Sequence, residues 1–546
     1  MKDLKPQLLL SMKTYTGDQL VHDLISGIIV AIIALPLSIA LALASGVTPE
    51  QGLYTAVVAG FVISLLGGSK VQIAGPTAAF ATIVAGIVAK NGMDGLALAT
   101  IMAGVLLVAM GLLGLGSLIR YIPYTITTGF TTGIAVTILI GQIKDFLGLT
   151  FERAPVETME KLEEAARCIH TLNPAALAVG LLALAILIVW PRFFKRIPPS
   201  LAAVAICAVL VRLLNLRVNT IGDLYTISAG LPRFVMPAAD FQTMRTVLPD
   251  ALTIAVLAAI ESLLSCVVAD GMIGGKHNSN MELVAQGVGN ACSALFGGIP
   301  ATGAIARTAA NVKNGGRTPV AGMVHAAVLL LTLVFLMPYA ALIPMPAIAA
   351  VLFMVAYNMS EWREFVEIVR TAPKSDWSVL VITCLLTVVF DLVMAIGVGL
   401  VLACLLFMKR MSDVTDIYGW KYLEDYEAGQ DKERIDLKPV PAHVMVFEVN
   451  GPMFFGAADK ISKVALAEGK RVLILRMRGV PAMDTTALNS LKKLEQACRK
   501  RGTKLIFSHV NPQPMNVMEK AGFAEAVGRE NFCGCIDEAL RRAQQL

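Results

Sequence analysis

This chain has no paired cysteines. Its nine cysteines are scattered over 546 residues with no CxxC pair, and Cys533-Gly534-Cys535 sets two of them too close for a zinc pair. Neither a disulfide framework nor a metal site is expected from that spacing. HExxH is absent, and Gly275-Lys276-His277 lacks both the upstream glycine and the Ser/Thr of a phosphate loop. No catalytic residues, no cofactor and no metal are therefore expected, and the chain is not read as an enzyme. Charge is also scarce: 16% of residues are charged against 56% hydrophobic, with mean hydropathy +0.68. That balance excludes an ordinary water-soluble domain and implies a polytopic membrane protein.

What is present is a series of apolar runs. Fourteen are read, near 22–45, 51–67, 76–90, 94–117, 124–147, 173–190, 198–214, 248–268, 282–297, 303–313, 318–337, 340–357, 376–390 and 393–409. Many approach the ~20 residues that a helix needs to cross a bilayer. The first follows a polar lead and shows no small-residue cleavage site, so it is read as a retained span.

The charges give the orientation. Lys70, Arg120, Arg192, Lys195, Arg196, Lys276, Lys313, Arg317, Arg363, Arg370, Lys374, Lys409 and Arg410 fall in loops on one side of this scheme. That side is expected to be cytoplasmic. The opposite loop, 148–172, is acidic, with Glu152, Glu157, Glu160, Glu163 and Glu164. An even number of spans places both ends in the cytoplasm of a multi-pass protein of the cell (plasma or inner) membrane. The net charge of +6 follows from this asymmetry, and no basic patch interleaved with aromatics calls for nucleic acid.

Runs 76–90 and 303–313 are too short to cross as complete helices, and both follow Gly/Pro breaks. The first break reads Gly67-Gly68 and then Gly75-Pro76-Thr77-Ala78-Ala79-Phe80. The second reads Gly297-Gly298 and then Pro300-Ala301-Thr302-Gly303-Ala304-Ile305-Ala306-Arg307. Interrupted segments at matching places in two halves point to a mid-membrane transporter site. Glycines serving only close helix packing are the alternative. Two half-helices whose N-termini face each other aim free N–H groups and positive dipole ends at one spot, which is an anion site. Pro76 is expected in the first turn of its helix.

The pattern changes near residue 411. A charged linker over 411–439 is expected to lead into a small α/β domain over 440–546. Strands are read at His443–Val449, Val472–Arg476 and Lys504–Phe507, and helices at Asp459–Ala467, Thr485–Arg501 and Pro514–Ala521. Asp484 is placed to cap the Thr485 helix.

Three sets of motifs carry a resemblance. Pro123, then Gly129-Phe130-Thr131-Thr132-Gly133-Ile134-Ala135, Gly141-Gln142-Ile143-Lys144-Asp145 and Gly148 resemble the fifth-span signature of the sulfate permease (SulP) anion-transporter family. Gly75 to Phe80 resembles its third span, and Arg307-Thr308-Ala309-Ala310-Asn311 with Gly315 to Gly322 resembles its tenth. Asn450 to Ala458 and Asp484-Thr485-Thr486-Ala487 resemble the STAS domain that the family carries on its cytoplasmic side.

The resemblance implies an α-helical membrane fold of fourteen spans in two inverted seven-span repeats. Spans one to four and eight to eleven would form a core domain, and five to seven and twelve to fourteen a gate domain, within a transport domain 1–410. The assembly would be a homodimer, followed by a cytoplasmic STAS domain.

By the same resemblance, Ser38, Thr77, Ala78, Phe80, Ala306 and Arg307 are candidate substrate-binding residues. Thr77 could instead be a helix cap, and Arg307 could reach for headgroups. Pro36-Leu37-Ser38 stands where many sulfate-transporting relatives carry a glutamine after the proline, so by the resemblance Leu37 counts against sulfate and leaves room for bicarbonate, chloride or a dicarboxylate. Glu261, in the interior of span eight, is costly to bury and is the candidate ion-coupling residue. Hydrogen bonding for packing is its plain alternative. His325 is read as a satisfied packing histidine rather than a proton relay. Thr485 matches the STAS position that can be phosphorylated, although threonine also commonly starts helices.

The reading is a secondary active anion transporter, coupled to a proton rather than sodium. An uncoupled anion channel or exchanger, and a membrane sensor signalling through its STAS tail, are the competing classes.

Overall fold

The computed structural model describes residues 4–117, 123–153, 155, 157–194, 197–225, 227, 230–237, 240–390, 392–419, 440–455 and 471–546. Arg120, Lys195, Arg196, Gly456-Ala457-Ala458 and the helix expected at Asp459–Ala467 lie outside the described residues. The chain forms two compact units, 1–400 and 401–546.

The first unit is helical. In chain order it contains α1 (Gly17–Ala44), α2 (Pro49–Leu66), the two-residue strand β1 (Ala74–Gly75), α3 (Ala78–Leu112), α4 (Tyr124–Leu147), α5 (Pro174–Phe193) and α6 (Pro199–Leu213). There follow α7 (Phe241–Ile273), α8 (Ser279–Leu295), strand β2 (Thr302–Gly303), α9 (Ile305–Lys313), α10 (Val320–Ala340), α11 (Met345–Met359) and α12 (Lys374–Val389). The long helix α13 (Leu392–Val414) runs on past residue 400. Among the described residues, eight helices are long and apolar enough to cross a bilayer. The expected runs 76–90 and 94–117 appear as one element, α3, broken at Gly92, whose φ of 67° is a left-handed value that a side chain would strain.

The helices pack in two sets. In the first, α3 lies against α8 and α7, α2 against α8 and α10, and α1 against α10. One close crossing joins Gly104 and Gly287, where a Cβ on either would fall within 2.6 Å of the other's carbonyl oxygen. In the second set, α4 packs on α11 and α12, and α5 on α11. A Cβ at Gly129 would lie 2.7 Å from the Leu380 carbonyl oxygen, and one at Gly133 2.6 Å from Thr387 Cβ. Lipid is as apolar as a side chain, so membrane helices gain by close van der Waals approach, which small residues allow.

The second unit carries a five-stranded sheet of order β3-β4-β5-β6-β7, with β3 (Asp416–Gly419), β4 (Val444–Asn450), β5 (Val472–Gly479), β6 (Lys504–Ser508) and β7 (Phe532–Cys533). β3 is antiparallel to β4, and the remaining pairs are parallel. Alternate residues of β5 serve opposite faces, as the strand period demands. Leu473, Leu475 and Met477 pack with Leu488 and Leu491 of helix α14 (Thr485–Lys500), whereas Val472 and Ile474 pack with Ile536 and Leu540 of the C-terminal helix Ile536–Gln544.

Part of the segment expected to be linker, 411–439, is structured. Met411–Val414 completes α13 and Asp416–Gly419 forms β3, because its backbone finds a partner in the open edge of β4. Residues 420–439 lie outside the described residues.

Candidate functional site

The two Gly/Pro breaks meet. β1 and β2 pair antiparallel, Ala74 with Gly303 and Gly75 with Thr302. From that pairing the chain enters α3 at Ala78 and α9 at Ile305. At ~3.3 Å per extended residue, both helix starts lie within about 10 Å of the paired strands. The first N–H groups of each helix have no carbonyl of their own helix to bond, so two sets of donors and two positive dipole ends share one region.

Thr77 is the N-cap residue of α3, but its side chain does not cap. Its hydroxyl instead donates to Glu261 Oε2 on α7 across 3.0 Å. Beside it on α7, Ser262 Oγ pairs with Thr302 Oγ1 at 2.7 Å and accepts from Gly303 N at 3.1 Å. One turn further, Ser265 Oγ donates to Thr308 Oγ1, which also accepts from Ile73 N at 3.0 Å. Residues 261, 262 and 265 of α7 thus fasten Thr77 together with both broken segments.

Pro76 stands two residues before the first helical residue of α3, not in its first turn as expected. It precedes the N-cap because the chain is still extended from β1. Its carbonyl accepts from Arg307 Nη2. Arg307, on α9, does not reach for headgroups: it is 3% exposed and crosses to the opposite break. A Cβ at Gly75 would lie 2.6 Å from Arg307 Nη1, so a larger residue there would make the guanidinium shift. Among the described residues Nη1 is buried without a hydrogen-bond partner.

The other candidates divide. Ala78 and Phe80 are buried in the first turn of α3, and Ala306 is exposed at the start of α9. Ser38 is fully buried in α1, two residues after the in-helix Pro36, and its Oγ has no partner among the described residues. His325 is fully buried on α10 with neither ring nitrogen partnered among the described residues, so it is not the satisfied histidine expected. Thr485 belongs to the second unit, exposed in the first turn of α14. There Asp484 Oδ1 caps the helix by accepting from Ala487 N at 2.8 Å, while Oδ2 accepts from Phe455 N at 3.0 Å. Among the described residues, no group of three His, Cys, Asp or Glu side chains is arranged to hold a metal.

Sequence reading missed a buried polar stripe on α8: Glu282, Gln286 and Asn290. Polar residues repeating every four positions inside an apolar span are the signal that could have found it.

The Sulfate permease family model matches residues 20–383, and the STAS domain model residues 437–539. The chain is 40% identical over 531 residues to "Putative sulfate transporter YvdB" of Bacillus subtilis (strain 168), covering 96% of this chain and 98% of that one. It is 31% identical over 540 residues to the bicarbonate transporter BicA of Picosynechococcus sp., covering 95% and 94%. Among solved structures, the murine Slc26a9 anion transporter in its inward-facing state superposes with TM-score 0.88 over 99% of this chain and 94% of that chain, at 19% identity, a likeness of fold. This chain belongs to the sulfate permease family of membrane anion transporters and carries a C-terminal STAS domain.

Proposed function

We propose that the chain is a secondary active transporter that moves a small anion together with a proton by alternating access. The observation that carries this reading is the meeting of two helix starts and the Arg307 guanidinium with the carboxylate of Glu261. The helix ends and Arg307 attract an anion, and an ionised Glu261 beside them repels it. Protonation removes the repulsion. It also turns the carboxyl into a donor, which releases the Thr77 hydroxyl to donate to the substrate. Anion and proton then favour each other's binding, which is symport.

The names of the relatives point to sulfate and bicarbonate, and Leu37 beside Ser38 offers no amide where many sulfate-transporting relatives carry one, which favours bicarbonate, chloride or a dicarboxylate over sulfate. The working form is a homodimer in the cell membrane with both termini cytoplasmic, with α1–α3 and α7–α10 as the moving core, α4–α6 and α11–α13 as the gate, and a proton in preference to sodium as the coupling ion.

Uptake of sulfate, bicarbonate, fumarate and chloride into proteoliposomes, each with and without imposed proton and sodium gradients, tests this. Accumulation of one anion driven by an inward proton gradient is expected. Anion current without saturable coupling would replace the reading with a channel.

A further inference from the structure

Helix α8 holds both broken segments with one face. Glu282, Gln286 and Asn290 follow one another at four-residue steps, all fully buried. Asn290 engages the second break as a strand would: its Oδ1 accepts from Ala301 N at 2.8 Å and its Nδ2 donates to Ala301 O at 2.9 Å. Glu282 engages the first break. Its Oε2 accepts from Gly68 N at 2.9 Å and Ser69 N at 3.2 Å, and its Oε1 from Gln72 Nε2 at 2.8 Å and Gln286 Nε2 at 2.9 Å. Four donors converge on one carboxylate, which has only acceptors to offer and so complements them completely. The arrangement is tight, since a Cβ at Gly68 would fall 2.1 Å from the Asn278 carbonyl oxygen.

Gln72 joins the two breaks. Its Oε1 accepts from Cys266 Sγ of α7, and its amide lies over Gly303, where a Cβ would come within 2.3 Å of Nε2. The chain Glu282–Gln72–Gly303 therefore runs from α8 through the first break to the strand β2 of the second.

We propose that Glu282 is a positioning residue for the anion site: through Gly68, Ser69 and Gln72 it sets the first break against the second, so that the starts of α3 and α9 face the same ligand. The proposal rests on reading those helix starts as the anion site. Among the described residues Glu282 hydrogen-bonds to neither Thr77 nor Arg307, and it acts on them through the loop. A carboxylate suits the place because every group around it donates, and Glu282→Gln sets an NH2 against at least one of them, the Gln72 amide.

The test uses the full chain and an exchange of partners. In the double variant Gln72→Glu/Glu282→Gln, the amide introduced at 282 offers its oxygen to Gly68 and Ser69. Its NH2 then faces the carboxylate introduced at 72 and, after rotation of the side chain, Gln286 Oε1, a buried acceptor with no partner among the described residues. Two readouts are taken: amide hydrogen exchange in peptides covering 67–73, and KM and maximal rate for radiolabelled sulfate and bicarbonate in proteoliposomes. Glu282→Gln is expected to speed exchange at 67–73 at least fivefold and raise KM at least fivefold, with maximal rate within threefold of wild type. The double variant is expected to return both to within threefold. Unchanged exchange at 67–73 in Glu282→Gln overturns the proposal, and so does a double variant that restores neither readout. If Glu282→Gln does not fold, the double variant decides: folding with slow exchange supports the proposal, and failure to fold overturns it. If wild type moves none of sulfate, bicarbonate, fumarate and chloride, the anion reading fails while the exchange data still show whether Glu282 holds the loop.

Discussion

The Thr77 hydroxyl lies 3.0 Å from the Glu261 carboxylate, joining two residues 184 positions apart in sequence. This one hydrogen bond places the candidate coupling group against the candidate anion site. Thr77→Val removes the donor and keeps the shape. It should leave folding intact and weaken anion binding by about 0.5–1.5 kcal/mol, the net value of one neutral hydrogen bond, and Thr77→Ser should retain most of the affinity. Unchanged KM in Thr77→Val would confine Thr77 to holding Glu261.

Arg307 is tested from both sides of its contact. Arg307→Gln removes the charge, and affinity should fall by about 1–3 kcal/mol in so poorly screened a place. Gly75→Ala puts a methyl 2.6 Å from Nη1, which displaces the guanidinium, and should produce a similar loss without touching the charge. Anion titration of the two purified variants checks this. Wild-type affinity in both would remove Arg307 from the site.

Much of this arrangement was legible because apolar length and Gly/Pro breaks are local signals. The helices α1, α2 and α4–α12 fall close to the expected runs, and both breaks stand where the glycines and prolines put them. Pairing was not legible. That Ala74 meets Gly303 depends on how α2, α7 and α8 pack, which no local pattern records. For the same reason Thr77 and Glu261 were each singled out but their contact was not foreseen. Glu282 was overlooked because its neighbours on α8, Gln286 and Asn290, are uncharged and only their repeat marks them. Strand β3 was hidden in a charged stretch, where an edge strand of four residues has little pattern to show.

The STAS unit should govern yield or rate and not substrate choice. Truncation after Val414 removes the whole sheet, β3 included. It should lower stable expression or turnover and leave the order of anion preference unchanged, as uptake competition assays would report. Within that unit, Asp484→Ala loses the α14 cap and the Phe455 contact and should cost about 1–2 kcal/mol of stability, read as earlier thermal unfolding of the full chain. A changed anion preference in the truncated protein would contradict this division of labour.

Symport in this scheme rests on Glu261 as the carrier of the coupling proton. It is tested by comparing wild type with Glu261→Gln in proteoliposomes, following both anion exchange at equal pH and accumulation under an imposed inward proton gradient. The amide mimics the protonated carboxyl, so the variant should still bind and exchange the anion yet fail to accumulate it when the gradient is applied. Full proton-driven accumulation by Glu261→Gln would contradict the account and make Glu261 a structural partner of Thr77.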